Sequence, residues 1–251
     1  MSEPNPATNT AVPRSIAGQA SGAAAWFEQR VTAALGDNLL NLTLYGPVVT
    51  PIFLPAEHRL HYLIVVAKHD VDQLMELAKS SAAAAKQRIA APLIMTGTGM
   101  RRAYDVFPLE WIDIAQFHLT VVGEPLLAAL QVEPAQVRLQ CERELRMLEI
   151  QLQRGLLASG GGARLIRQLE DLATDVLVRV LRGISWLAGD RQPLLPDELR
   201  QRCEQIVQQP LPGCQDAIDK RGRHDLASIR QLLDEFVVLS NWVDQFGKAG
   251  T

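Results

Sequence analysis

Two short apolar runs, Leu42–Tyr45 and Tyr62–Val66, flank a segment that carries Pro47, Pro51 and Pro55. Runs of this length, bounded by turn residues, read as adjacent buried strands. Proline cannot donate to a central ladder, so the three prolines confine the intervening segment to a connecting loop. Strand and helix then alternate around this pair. Ala23–Leu35 has helical spacing with Trp26, Val31 and Leu35 near one face, and Gly36 and Asp37 end it. A helix is predicted over Val71–Ala90 with Asp70 as its N-cap. Pro92–Thr96 reads as a further buried strand leading into a turn at Gly97–Gly99. Val106–Gln116 and His118–Glu124 read as two more strands, giving an α/β core of four or five strands.

The second half follows a different period. From Pro134 to Ser159 the residues Val137, Cys141, Leu145, Leu148 and Leu152 recur at three- and four-residue steps, until Gly160-Gly161-Gly162 breaks the pattern. Three more helices are predicted over Arg164–Leu187, Pro196–Gln208 and Asp225–Phe246. Together they form a four-helix bundle whose apolar stripes must face one another. The expected organisation is a disordered tail over 1–22, a mixed-sheet domain over 23–131 and a helical bundle domain over 132–251. In class it is α+β or α/β. Leu169–Leu187 has more apolar face than one core requires, which points to self-association or a protein partner.

Composition narrows the function classes. A net charge of -3 in 251 residues, with a pI near 6.0, gives no electrostatic case for general nucleic-acid binding. No apolar run reaches the length of about 20 residues that spans a bilayer. The opening segment has no apolar signal-peptide region, so the expected location is the cytoplasm. Cys141, Cys203 and Cys214 are widely spaced and lack a C-x-x-C pair, which reads as three buried reduced thiols.

The strand–loop–strand segment LTLYGPVVTPIFLPAEHRLHYLIVVA (Leu42–Ala67) resembles the opening hairpin of the nucleotidyltransferase superfamily. VFPLEWIDI (Val106–Ile114), GEPLLAAL (Gly123–Leu130) and RLQCERELR (Arg138–Arg146) are similar to further blocks of a bacterial group of nucleotidyltransferase-domain proteins. The resemblance covers roughly Trp26–Gln153. It implies a nucleotidyltransferase fold in which a Gly-Ser turn follows the first strand. It also implies an Asp-x-Asp pair on the second strand that holds catalytic Mg²⁺ for transfer from a nucleoside triphosphate. Aligned this way, Gly46 takes the glycine position, Pro47 the serine position, and Arg59 and His61 the two aspartate positions. Asp113, between Ile112 and Ile114, takes the place of a third carboxylate on a neighbouring strand.

The departures fall where the chemistry needs oxygen ligands. Mg²⁺ takes hard oxygens in octahedral geometry, which aspartate supplies and arginine cannot. At about 5 Å and an effective dielectric of about 20, a unit charge beside Mg²⁺ changes from about 7 kcal/mol attractive to as much repulsive when its sign is reversed. Pro47 also removes one backbone N–H from any phosphate cradle at the turn, although Gly46 leaves room for close approach. The expected function is therefore that of a non-catalytic, binding or scaffold protein with no cofactor. The alternative is an active nucleotidyltransferase using Mg²⁺ and a nucleoside triphosphate, with Asp113 joined by Glu57 or Asp105. Asp113 is expected to pair with Arg59, a cation replacing the metal; capping a strand end or pairing with Arg102 are the other readings.

Other motifs carry less. Gly97–Gly99 with Arg101 and Arg102 offers glycine, hydroxyl and cation for a phosphate, but lacks the G-x-G-x-x-G spacing. The helical half resembles bundles joined to minimal nucleotidyltransferases, some with a ribonuclease motif of Arg followed four to six residues later by His. In KRGRH (Lys220–His224) the arginines stand too close to the histidine, so a basic loop is expected. Glu142 and Glu144 read as salt-bridge partners on a long helix.

Overall fold

Strand β1 (Leu39–Tyr45) lies inside a four-stranded mixed sheet of order β3-β2-β1-β4, between β2 (His61–Val66) and β4 (His118–Gly123). It runs antiparallel to both, with Leu44 opposite Tyr62 on one side and Leu119 on the other. The computed structural model describes residues 16–219 and 225–246. Strand β3 (Leu93–Thr96) is parallel to β2, because the chain returns to it through helices α2 (Val71–Ala78) and α3 (Ser81–Lys86). Asp70 caps α2 by accepting from the Gln73 N–H at 3.2 Å, as its position before the apolar run requires. The single helix expected over Val71–Ala90 is thus two, broken at Lys79-Ser80. Lys79 and Ser80 stand at the break, serine being a weaker helix former than the alanines that follow it.

Alternation on β1 divides the sheet faces. Leu42 and Leu44 join Tyr62, Ile64 and Val66 in a core closed by Ala24, Phe27, Val31 and Leu35 of α1 (Ser21–Leu35). Phe27 and not Trp26 is the deep anchor, its ring 4.7 Å from that of Tyr62. On the opposite face Asn41 and Thr43 are buried polar residues that satisfy each other. The Thr43 hydroxyl donates to Asn41 Oδ1 at 2.8 Å, and Asn41 Nδ2 donates to the Glu124 carbonyl at 2.7 Å. The expected tail also ends sooner: Gly18–Ala20 form a 3₁₀ turn, α1 begins at Ser21, and Ala20 is buried with Ile16 packed against the core. Residues 1–15 lie outside the described residues.

The run Val106–Gln116 is the main correction to the sequence reading. It carries helix α5 (Pro108–Gln116), not a strand. Pro108 starts a helix readily, and Leu109, Trp111, Ile112 and Ile114 are buried in it; a short run of this kind fits either period. It follows α4 (Gly97–Ala103), which occupies the expected glycine turn. Helices α6 (Pro134–Ser159), α7 (Ala163–Leu187), α8 (Pro196–Val207) and α10 (Leu226–Gln245) match the expected segments. A fifth, α9 (Pro212–Ile218), was not anticipated. The fold class is α+β.

The chain divides into two compact units, one running to Arg101 and resuming at Phe117–Ala128, the other made of Arg102–Gln116 and the chain from Ala129 onward. Helix α5 therefore belongs with the helical bundle, and the passage expected near Gln131 is one of three. The bundle core runs from Val137, Cys141 and Leu145 on α6 through Leu177, Leu181 and Ile184 on α7 to Leu232 and Phe236 on α10. All three cysteines are buried in it as free thiols, and burial pushes each one up, Cys203 to about 12. Such thiols are poor nucleophiles.

Helix α9 is held by a buried carboxylate. Glu235 on α10 accepts from the N–H groups of Gly213 and Cys214 at 2.6 and 2.7 Å, satisfying two donors that a helix start otherwise leaves open. The approach is close: a Cβ on Gly213 would lie 2.6 Å from the Leu232 backbone nitrogen. Backbone cannot step aside as a side chain can. Gly213→Ala should lower stability by about 2 kcal/mol or more in urea unfolding, whereas Gly189→Ala, whose Cβ would meet nothing within 4 Å, should cost only its positive-φ strain.

Candidate functional site

The turn after β1 is built around Gly46, at φ 85° and ψ -155°. That region is open essentially only to glycine. A Cβ there would meet nothing within 4 Å, so the dihedral and not crowding demands the residue. Pro47 then opens a 3₁₀ turn, Pro47–Val49. The N–H groups nearby are mostly committed. Gly46 donates to the Phe117 carbonyl at 2.8 Å, Val49 to Gly46 at 3.2 Å and Thr50 to Pro47 at 2.9 Å, while Pro47 has none to offer. The Thr50 hydroxyl also donates to the Pro47 carbonyl at 2.7 Å, and the Ala17 N–H donates to the Val48 carbonyl at 3.1 Å. The turn is stitched to its own backbone and to the segment before α1.

Arg59 and His61 stand at the entry to β2. Arg59 is exposed; Leu60 next to it is buried and bridges to Ile89. His61 is half-buried, opposite Tyr45 on β1, and its ring lies 5.7 Å from the tyrosine ring. Tyr45 is in turn opposite His118 on β4. His61, Tyr45 and His118 therefore form one row across three strands at the Gly46 end of the sheet. Among the described residues, no group of three or more His, Cys, Asp or Glu is placed to hold a metal ion.

Asp113 is elsewhere. Because α5 is helical and belongs to the bundle unit, Asp113 is not on a strand beside Arg59, and the expected pairing with Arg59 or Arg102 gives way to another. Its carboxylate accepts from Arg182 Nε on α7 at 2.8 Å. Arg182 Nη1 donates to Gln116 Oε1 at 2.6 Å and to the Leu194 carbonyl at 3.1 Å. The arginine side chain is 4% exposed and the aspartate 34%. The pair is thus a buried guanidinium with a carboxylate at the edge of solvent. Glu57 and Asp105, the other acids considered, are exposed on connecting segments, and the Glu57 carbonyl accepts from Arg88 at 2.9 Å.

The remaining candidates resolve into structural roles. Gly97–Gly99 opens the seven-residue α4, where the Thr96 hydroxyl accepts from the Gly99 N–H at 3.1 Å, and Arg101 reaches back to Thr98 at 3.4 Å. Glu142 pairs with Arg138 and Glu144 with Arg143, both at 3.1 Å. KRGRH (Lys220–His224) lies outside the described residues. Sequence reasoning passed over Gln140, the third residue of RLQCEREL. It accepts from the Leu109 N–H at 2.9 Å and donates to Glu110 at 2.7 Å, so that block fastens the start of α5. It also passed over Arg182, one of two arginines in the apolar stretch VLVRVLRGISWL; of charged residues in such a stretch, any that is buried needs a partner.

No protein-family model matches the chain, and no curated protein matches it in sequence. A solved structure does. A spectinomycin adenyltransferase from Enterococcus faecialis, determined with ATP and spectinomycin, is similar over 90% of this chain and 98% of its own, with a TM-score of 0.52 at 12% identity. The fold is nucleotidyltransferase-like. At that identity the similarity speaks for the fold alone.

The Arg182 network yields a graded expectation. Arg182→Ala should lower stability by about 3 kcal/mol, because it leaves Asp113, Gln116 and the Leu194 carbonyl without their shared donor. Asp113→Asn should cost about 1 kcal/mol, since that group is partly solvated and Arg182 keeps its other acceptors. Equal losses in urea unfolding would show that the carboxylate, and not the guanidinium, organises the cluster.

Proposed function

We propose that this protein is a non-catalytic member of the nucleotidyltransferase fold that works as a binding or scaffold protein. One observation carries the reading: the entry of β2, where the resemblance implies the two metal-holding aspartates, presents Arg59 and His61, with His61 in a row with Tyr45 and His118. This donor set does not fit Mg²⁺. Imidazole and phenol are poor partners for a hard cation that takes carboxylate and water, and Arg59 adds a repelling charge. The commitment of the Gly46, Val49 and Thr50 N–H groups, and the loss of one at Pro47, likewise argue against a phosphate cradle. Of the acids considered for an active enzyme, Asp113 is engaged by Arg182, and Glu57 and Asp105 stand on exposed connecting segments. The fold alone, shared with a solved adenyltransferase, favours the alternative of nucleotide transfer from a nucleoside triphosphate with Mg²⁺. Association with a protein partner, or with a second copy through the helical bundle, would supply the function that chemistry does not. No described helix is long and apolar enough to cross a membrane.

The test is pyrophosphate release from ATP, GTP, CTP and UTP with Mg²⁺, together with calorimetric titration of each MgNTP. No release above that of heat-denatured protein is expected. Release by the folded protein that disappears in Glu57→Gln, Asp105→Asn or Asp113→Asn would establish the active reading in its place.

A further inference from the structure

Helix α7 carries two apolar stripes. One, through Ile166, Ala173, Leu177 and Ile184, is buried in the bundle. The other is Leu165, Leu169, Leu172 and Val176, at steps of four, three and four residues, which is the spacing of a coiled-coil seam. The second stripe lacks full cover: Leu172 is 76% and Leu165 46% exposed, while Leu169 and Val176 are half-buried. Alongside it lies a groove of about 450 Å³ between α6 and α7, walled by Leu148, Leu152, Arg154, Leu169 and Leu172. Leucines as exposed as these lose apolar hydration only against an outside surface.

We propose that this stripe is the seam of an antiparallel homodimer, in which α7 of one copy packs against α7 of another. The spacing is self-complementary under a two-fold axis between residues 170 and 171. Leu169 meets Leu172 of the second copy, and Leu165 meets Val176. Such a contact is isologous and closes on itself. Charge selects the direction. Arg164 and Asp175, both exposed, flank opposite ends of the stripe on the same side, about 17 Å apart along the helix at 1.5 Å per residue. Antiparallel pairing brings Arg164 of each copy toward Asp175 of the other. Parallel pairing, whose two-fold runs along the helices, would carry the two copies of this flank to opposite sides of the seam and leave Arg164 without Asp175. The seam spans only about three turns, so the dimer belongs at the weak end of specific interfaces and depends on concentration.

This names the surface for the association proposed above and rests on that reading. Because it involves neither Arg59 nor His61, it can fail while the pyrophosphate result stands, and the reverse. Sedimentation of the full chain from about 1 to about 300 µM should show a mass rising from 27.7 kDa toward twice that value. Leu172→Glu, a change at an exposed position, should keep the helical circular dichroism and weaken association at least about tenfold. Register is read by disulfide trapping, to which the buried native thiols contribute nothing. Leu165→Cys protein mixed with Val176→Cys protein should cross-link between the two variants, and Leu165→Cys alone should not. A wild-type mass that stays at one chain throughout overturns the proposal and leaves the stripe to a helix of another protein. So does a dimer that survives Leu172→Glu, or one in which Leu165→Cys links to itself.

Discussion

The guanidinium of Arg182 is the contact on which the helical unit depends. It sits on the 25-residue α7, nearly free of solvent, and its donors reach Asp113 and Gln116 on α5 and the carbonyl of Leu194 beyond the end of α7. Desolvating an arginine costs several kcal/mol unless its N–H groups all find acceptors. That requirement fixes where α5 can lie. Gln140 completes the constraint from the other side by fastening the first turn of α5 to α6, and the glycine beside Arg182 lets the helices close. A Cβ on Gly183 would stand 2.4 Å from Leu109 and 2.6 Å from the Cys141 sulfur. Charge, capping and close packing converge on one short helix.

Much of the fold was legible because its signals are long or punctuated. The 26 residues of α6 keep one period throughout, with Pro134 at the start and the triple glycine at the end. The strands Leu39–Tyr45 and His61–Val66 are bracketed by prolines and turn residues. The misread element, α5, has nine residues, a run too short and too evenly apolar for periodicity to separate helix from strand. Only tertiary partners far along the chain, Gln140 and Arg182, decide between them. Helix α9 was missed for a related reason: its stability comes from Glu235 and from backbone contact at Gly213, neither of which leaves a periodic mark.

The candidate site was legible in part. Gly46 turned out to occupy a conformation only glycine enjoys, and Pro47 to open a turn that consumes its own neighbours' N–H groups. Both follow from residue identity. The row of His61, Tyr45 and His118 did not, since it requires the strand order and register. Nor did the fate of Asp113: the local h-D-h pattern marks a buried or half-buried acid, but the chain alone does not say which cation meets it. One carboxylate can serve a metal or a structural arginine with the same local sequence.

The interleaving of the units has a consequence for how this molecule could be taken apart or evolve. Three covalent crossings, after Arg101, Gln116 and Ala128, join them. No single cut liberates either unit whole, and a truncation that keeps the sheet's last strand must also keep α5, stripped of Gln140 and Arg182. The sheet in turn gets β4 only after the ribosome has made α5, and α5 finds its partners later still. Neither unit is a continuous stretch of chain, so neither is free to be shuffled as an independent module.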